Sequence, residues 1–284
     1  MSPLRELLFA VRFYRAAHGE IPCLRDPQTF NEKVLHRMLF DRRPVLAQLA
    51  DKVACRSYVE ARLGSGILPV VYHVTDNPRT IPLDELPARF VVKATHGSGW
   101  VQVVKDKATL DRDALNRVCD SWLNQNYYEK THEWTYRDIP PRLIIEEFVD
   151  DGTGEVPRDY KLFVFDGKVA MIQVDATRFS GHKRRLYSPD WEQLPVLLSY
   201  DDIEGDVGRP PHLAGMIAAA QILGADMDFV RADFYDTPER IYFGELTTTP
   251  ECAMGNFRPK AFDRHFGQCW TLACQRPEPR QPQP

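Results

Sequence analysis

The sequence predicts an α+β protein, and two observations carry that prediction. Residues 1 to about 65 space their apolar side chains by three and four, the period of a helix. The rest of the chain is built from short β-branched and aromatic runs that return in pairs around turn residues, with helices between them. Helices first and meandering antiparallel strands afterwards is the α+β pattern. At 284 residues, 43% hydrophobic and 27% charged, the chain can bury a full-sized core. A net charge of −4, from 36 Lys plus Arg against 40 Asp plus Glu, argues against a broad nucleic-acid surface. It leaves room for a local anion site.

Taken in order, "MSPLRELLFAVRFYRAAHG" reads as an amphipathic helix. Arg12 and Arg15 cut the apolar run "LLFAV" too short for a signal peptide, and no other run approaches bilayer length. This helix is expected to dock on the body, with a membrane surface or a pathway enzyme as its alternative contact. "TFNEKVLHRMLF" sets Thr29 three residues before Glu32, a capping box ahead of Val34, Leu35, Met38 and Leu39. "RPVLAQLADKVACRSYVEARLG" continues the helical spacing and stops at Gly64.

"GILPVVYHV" and "ARFVVKAT" are strands, and the alternating "WVQVVKD" returns, so residues 90–105 form a hairpin around Gly97-Ser98-Gly99. A helix follows at about 109–127, then "PRLIIEEFVD" and the two halves of "DYKLFVFDGKVAMIQVDA" as three strands, the last two joined by the Asp-Gly turn at 166–167. A helix at about 211–223 precedes a final hairpin, "DFVRADFYDTPERIYFGELTTTP". The tail "QRPEPRQPQP" has a disordered composition. The six cysteines show no CxxC pair, which fits reduced thiols in a cytoplasmic protein, and Cys252 reads as buried filler rather than a nucleophile.

"FVVKATHGSGW" carries Lys93 into a glycine-rich turn. A P-loop places its lysine after the last glycine, and the dinucleotide fingerprint requires a glycine where Gln102 stands, so neither fits. A plain turn and a phosphate-binding loop remain open on these residues. The hairpin at 229–247 holds Asp233 on one strand and Glu245 on the next, with Arg231 on the face of Asp233 by the two-residue period. That can be a cross-strand salt bridge. The neighbours are apolar (Phe229, Val230, Phe234, Ile241, Phe243), however, and two carboxylates there call for a cation, with Mg²⁺ the fitting hard ion.

A strand lysine entering a glycine-rich hairpin, acids in "LIIEEFV", and "RAD" followed by "ELTTTP" together resemble the ATP-grasp fold. The segments "PQTFNEKV", "LADKVACRSYV", "NYYEKTHEWTY" and "DYKLFVFDGKV" extend the resemblance to the TupA-like branch, named for teichuronopeptide synthesis and found among bacterial cell-surface polysaccharide genes. The resemblance implies an N-terminal helical and small α-β region at 1–88, a lid subdomain at 89–150, a metal-binding subdomain at 151–273 and a disordered tail at 274–284, the two subdomains clasping the nucleotide.

It further implies ATP and Mg²⁺ as cofactors and an amide-forming ligase acting through an acyl-phosphate. The substrates would be a small-molecule or glycan carboxylate and an amine. A sugar or glycan kinase and a non-catalytic nucleotide- or glycan-binding module are the alternatives. By the same resemblance Lys93 and Lys52 hold the nucleotide, Gly97, Ser98 and Gly99 close over its phosphates, and Glu146 and Glu147 form the adenine hinge. Lys161, Arg178 and Arg231 face the reacting groups, and Asp233, Glu245 and Thr247 hold the metal. Thr247 departs from the usual asparagine.

Overall fold

The computed structural model describes residues 3–176 and 181–275. Four helices come first: α1 (Pro3–His18), α2 (Phe30–Phe40), α3 (Pro44–Ala50) and α4 (Ala54–Leu63). The capping box closes α2: the Thr29 hydroxyl accepts the Glu32 N–H at 3.2 Å, and the Glu32 carboxylate accepts the Thr29 N–H at 3.0 Å. α1 docks through the buried Ala10 and Tyr14. No helix among the described residues is long and apolar enough to cross a membrane.

Next come β1 (Val71–Thr75), β2 (Phe90–Ala94), β3 (Val101–Val104), α5 (Arg112–Leu123), α6 (Tyr128–Thr131) and β4 (Leu143–Glu147). Their strands form an antiparallel sheet in the order β1-β4-β2-β3. β1 pairs with the edge of β4, so this small sheet reaches back across the expected boundary at residue 88. α5 is shorter than the expected 109–127 because the Asp111 side chain caps it, accepting the Ala114 N–H at 2.9 Å.

The remainder is β5 (Asp159–Phe165), β6 (Lys168–Ala176), β7 (Lys183–Tyr187), β8 (Leu197–Leu198), α7 (Leu213–Gly224), β9 (Phe229–Asp236), β10 (Ile241–Thr247), β11 (Phe257–Arg258) and α8 (Ala261–Gln268). Five of these strands make an antiparallel sheet, β10-β9-β5-β6-β7, while β8 pairs with β11. β7 and α8 are not expected from the sequence. "KRRLY" has no strand pattern, and Arg184 and Arg185 are buried only because acids meet them, Asp175 at 2.7 Å and Asp202 at 2.7 Å. Ala273–Gln275 form a 3₁₀ turn inside the span expected to be tail, and residues from 276 on lie outside the described residues.

The large sheet explains where a site can be. By the period of two, Tyr160, Leu162 and Val164 of β5 and Val230, Ala232 and Phe234 of β9 point to one face, and pack with α3, α4 and α7 in one apolar core. The opposite face divides along its length. At one end Phe163, Phe165 and Phe229 pack with Phe30 of α2 and Trp270 in a second, aromatic core. At the other end the same alternation sets Asp159, Lys161, Gln173, Asp175, Arg231 and Asp233 side by side, all buried. The small sheet has its own core under α5, with Phe90, Val92, Ile145 and Trp122. The charged end of the large sheet is what the small sheet overhangs.

Candidate functional site

A cavity of about 300 Å³ lies between the small sheet and the charged end of the large one. Lys93 enters it from β2 and pairs with Glu146 of β4. The two strands are hydrogen-bonded neighbours, with Val91 opposite Glu146, so the pair spans two residues along the sheet. Nothing near Lys93 in sequence announces this partner. Lys52, which follows α3, donates to the Gly97 carbonyl at 2.5 Å and borders the same cavity. Burial lowers its pKa, against the pull of Glu245. Glu146 and Glu147 both border the cavity. The Glu147 carboxylate accepts the Val70 N–H at 3.0 Å and the Tyr242 hydroxyl at 3.3 Å.

Ser98 and Gly99 line the cavity mouth. Gly99 has φ +76°, a conformation that favours glycine. A Cβ on Gly97 would stand 2.7 Å from the Trp100 ring. Trp100 in turn lies against His96, with ring centroids 5.1 Å apart, and meets Tyr127 edge-on at 5.5 Å. The loop is therefore seated on an aromatic footing beside the cavity.

On the large sheet a chain of charge runs across three strands. Lys161 donates to Asp159 at 3.0 Å and to Asp233 at 2.7 Å. Arg231 grips Asp233 with two bonds of 2.7 Å, and its Nη2 also reaches Glu245 and Thr247, each at 3.0 Å. Burial raises the pKa of Asp233 beyond what Arg231 and Lys161 offset. Burial works against the charge on Lys161 and Arg231, yet the carboxylates outweigh it and raise both. Glu245 adds to the rise at Asp233, so the two carboxylates still work against each other, although Arg231 places positive charge between them.

Glu245 reaches this face through a bulge. Ile241 to Phe243 pair with Asp236 to Phe234, and that register would set Gly244 opposite Asp233. An extra residue is taken up at Gly244, so Glu245 pairs with Asp233 and Thr247 with Arg231. Phe243 and Leu246, of opposite parity, consequently both enter the apolar core. A Cβ on Gly244 would lie 3.1 Å from the Asp233 carbonyl oxygen, tight for any larger residue.

The polar face continues beyond the expected residues. Asp175 accepts Arg184 Nε at 2.7 Å and Gln173 Nε2 at 3.0 Å. Burial raises its pKa, but Arg184 overrides this and brings it down to about 2. Arg184 continues to Glu251, whose other oxygen accepts Ser199 Oγ at 2.5 Å. Glu251, Cys252 and Ala253 all have positive φ, a strained turn just after β10. The buried Glu133 braces it, accepting Thr249 Oγ1 and, at 3.1 Å, Cys252 Sγ. Burial raises both the Glu133 and the Cys252 pKa, which leaves Cys252 a poor nucleophile at neutral pH. Asp159 could have been found in the sequence, since it stands two residues before Lys161 on one strand face. Asp175, Arg184 and Glu251 could not, because they meet only in three dimensions. Arg178 lies outside the described residues.

No cluster of three or more His, Cys, Asp or Glu suited to a metal occurs among the described residues. The donor set nonetheless fits Mg²⁺. Asp233, Glu245 and Thr247 are hard oxygen donors brought to one point, and Mg²⁺ is commonly held by one or two carboxylates together with substrate phosphates.

A model of the TupA-like ATP-grasp family matches residues 32–271. No curated protein matches the chain. Among solved structures it is similar to purK, N5-carboxyaminoimidazole ribonucleotide synthetase, in its ADP complex, with TM-score 0.48, 15% identity and coverage of 73% of this chain and 47% of that one. It is similar to D-alanine–D-alanine ligase from Bacillus anthracis, with TM-score 0.43, 20% identity and coverage of 78% and 64%. It is also similar to the ATP-grasp ligase PsnB bound to its minimal precursor, with TM-score 0.41, 12% identity and coverage of 72% and 55%. The chain spans less than two thirds of the length of each of these structures.

Proposed function

The chain belongs to the TupA-like ATP-grasp family, and we propose that its cleft is that of an ATP-dependent carboxylate–amine ligase. The observation that carries this reading is the meeting of Lys52, Lys93 and Lys161 with Asp233 and Glu245 around one cavity between two sheets, with Arg231 bonded to both carboxylates behind its wall. We place the work in the cytoplasm, in the making of a cell-surface polysaccharide or peptide-bearing glycan. The substrates are a small-molecule or glycan carboxylate and an amine.

In this reading Lys93 and Lys52 bind the nucleotide phosphates beneath the Gly97–Gly99 loop, and Glu146 keeps Lys93 aimed into the cleft. Lys161 and Arg231 face the transferred phosphoryl group. Lys93, Lys161 and Arg231 are each already matched by a carboxylate, so a polyphosphate brings negative charge to a site with little net charge to receive it. Asp233, Glu245 and Thr247 would hold Mg²⁺, which would supply the missing positive charge. The substrate carboxylate takes the γ-phosphoryl group, the bond to the β-phosphate oxygen breaks, and ADP leaves. The amine then attacks the acyl carbon, phosphate departs, and a proton is released from nitrogen. Arg231 is the donor best placed for the negative charge of both transition states. The loop on its aromatic footing keeps water from the acyl-phosphate.

The test is mass spectrometry of a reaction with ATP, Mg²⁺ and a panel of uronic-acid sugars and amino acids. Ligation joins two substrates with loss of water and yields ADP and phosphate. A substrate that gains a phosphate instead would make the protein a kinase, and AMP as the stoichiometric product would place it in another mechanistic class. Lys93→Ala should abolish turnover while leaving the thermal transition in place, because among the described residues its ammonium pairs with Glu146 alone, at the cavity wall.

A further inference from the structure

We propose that the outer face of α1 is a docking surface for an anionic membrane. The helix has two unlike sides. Ala10 and Tyr14 are buried against the body, Phe9 stacks on His132 with centroids 3.8 Å apart, and Glu6 accepts the Tyr128 hydroxyl. The opposite side presents Leu4 at 64% exposure and Leu8 at 54%, together with the exposed Arg5, Arg12 and Arg15. At a helical step these five positions fall within an arc of roughly 100°. Among the described residues none of the three arginines forms an ion pair, and the only acid of the helix, Glu6, is engaged on the inner side.

Two leucines that do no work in the fold, ringed by unneutralised guanidiniums, match a surface that is apolar below and negative above. A second copy of the chain is the poorer occupant, since two-fold packing of α1 on itself would set arginines against arginines. An anionic bilayer supplies the complementary charge, and the leucines reach its acyl boundary while the arginines stay at the headgroups. The surface is separate from the cleft, so it localises the enzyme without entering its chemistry.

Co-sedimentation of the full chain with vesicles tests this. Binding is expected to phosphatidylcholine mixed with phosphatidylglycerol and not to phosphatidylcholine alone, with release as salt is raised. Each of Arg5→Gln, Arg12→Gln and Arg15→Gln should weaken binding by about fivefold. Leu4→Ser with Leu8→Ser should abolish it, with ATP turnover in solution unchanged. A chain that stays in the supernatant with anionic vesicles at low salt, or binding that the variants do not alter, overturns the proposal. Neither outcome touches the ligase reading, which is measured without vesicles.

Discussion

Two buried arginine–aspartate pairs meet β9, one at its start and one at its middle, and they do different things. Arg37 of α2 bonds Asp228 at 2.6 Å, donates to the Phe229 and Thr248 carbonyls and lies 3.7 Å from Asp41, with the Trp270 ring 4.4 Å away. Asp228 is further held by Arg43, the Trp270 indole and the Ala273 N–H. Every partner there is backbone, ring or a dedicated ion. Among the described residues Arg231 bonds only side chains, Asp233, Glu245 and Thr247, and the first two of these line an open cavity. The pKa shifts separate as well. Burial works to raise Asp228, yet Arg37 and its other donors outweigh it and lower its pKa, whereas at Asp233 burial prevails and the pKa rises. A buried ion pair is therefore no mark of function by itself. What would mark a site is a set of partners that a ligand could replace.

Removing each arginine sharpens the contrast most. Arg37→Ala strands the Phe229 and Thr248 carbonyls and half-strips Asp228, and should lower stability by about 3–5 kcal/mol in denaturant titration. Arg231→Ala leaves Asp233 with Lys161 beside a cavity that Asp233 and Glu245 line and water can enter, so its stability loss should be smaller than that of Arg37→Ala. Its activity loss should be on the order of 10²–10³. Equal destabilisation by the two substitutions would break the comparison.

Acid titration is the next, smaller effect. The depressed Asp228 pKa contributes stability that is present above the unfolded carboxylate range and lost as pH falls through the folded value. The raised Asp233 pKa works the other way, favouring the fold at low pH and losing that contribution as pH rises through the folded value. At neutral pH Asp228→Asn should then destabilise, and Asp233→Asn should be neutral or stabilising while inactive, as sites that trade stability for function are. Both differences from the parent should close as the medium is brought to roughly pH 4 and below. Thermal midpoints across that range are the measurement, and marked destabilisation by Asp233→Asn at neutral pH would contradict the assignment.

The same pair of regions shows how much could be read in advance. The capping box, the Lys93 hairpin and the facing of Asp233 and Glu245 are legible because each depends on a short-range period or on one turn. The facing itself holds only because Gly244 absorbs an extra residue, and a bulge leaves no periodic trace. Arg37 reads as an ordinary charge on a helix, and only the arrival of Asp228 and Trp270 from the far end of the chain explains its burial. Lys93 with Glu146, and Arg184 with Asp175 and Glu251, are likewise products of sheet order rather than of sequence distance. The aromatic core at one end of the large sheet was written as Phe-rich strands. The polar face at the other end was legible only as isolated charges.

The finest contrast lies inside the exchangeable site, between Glu245 and Thr247. If Arg231 holds these donors together until a metal arrives, Mg²⁺ must take Glu245 from Nη2, and its affinity reflects that competition. Glu245→Gln keeps the volume and removes the charge, so the Mg²⁺ concentration for half-maximal activity at fixed ATP should rise several-fold to many-fold, with most of the activity lost. Thr247 presents a hydroxyl that accepts Arg231 at 3.0 Å and donates to Glu245 at 3.3 Å. Asparagine there offers an amide oxygen, a better hard ligand, and should lower the half-maximal Mg²⁺ by a few-fold, a gain of about 1 kcal/mol. If metal and nucleotide meet at the phosphates, the ATP requirement should fall by the same factor in a binding assay. A Mg²⁺ curve that Glu245→Gln leaves unmoved would return Arg231, Asp233 and Glu245 to the class of Arg37 and Asp228, a cross-strand contact that holds the hairpin and nothing more.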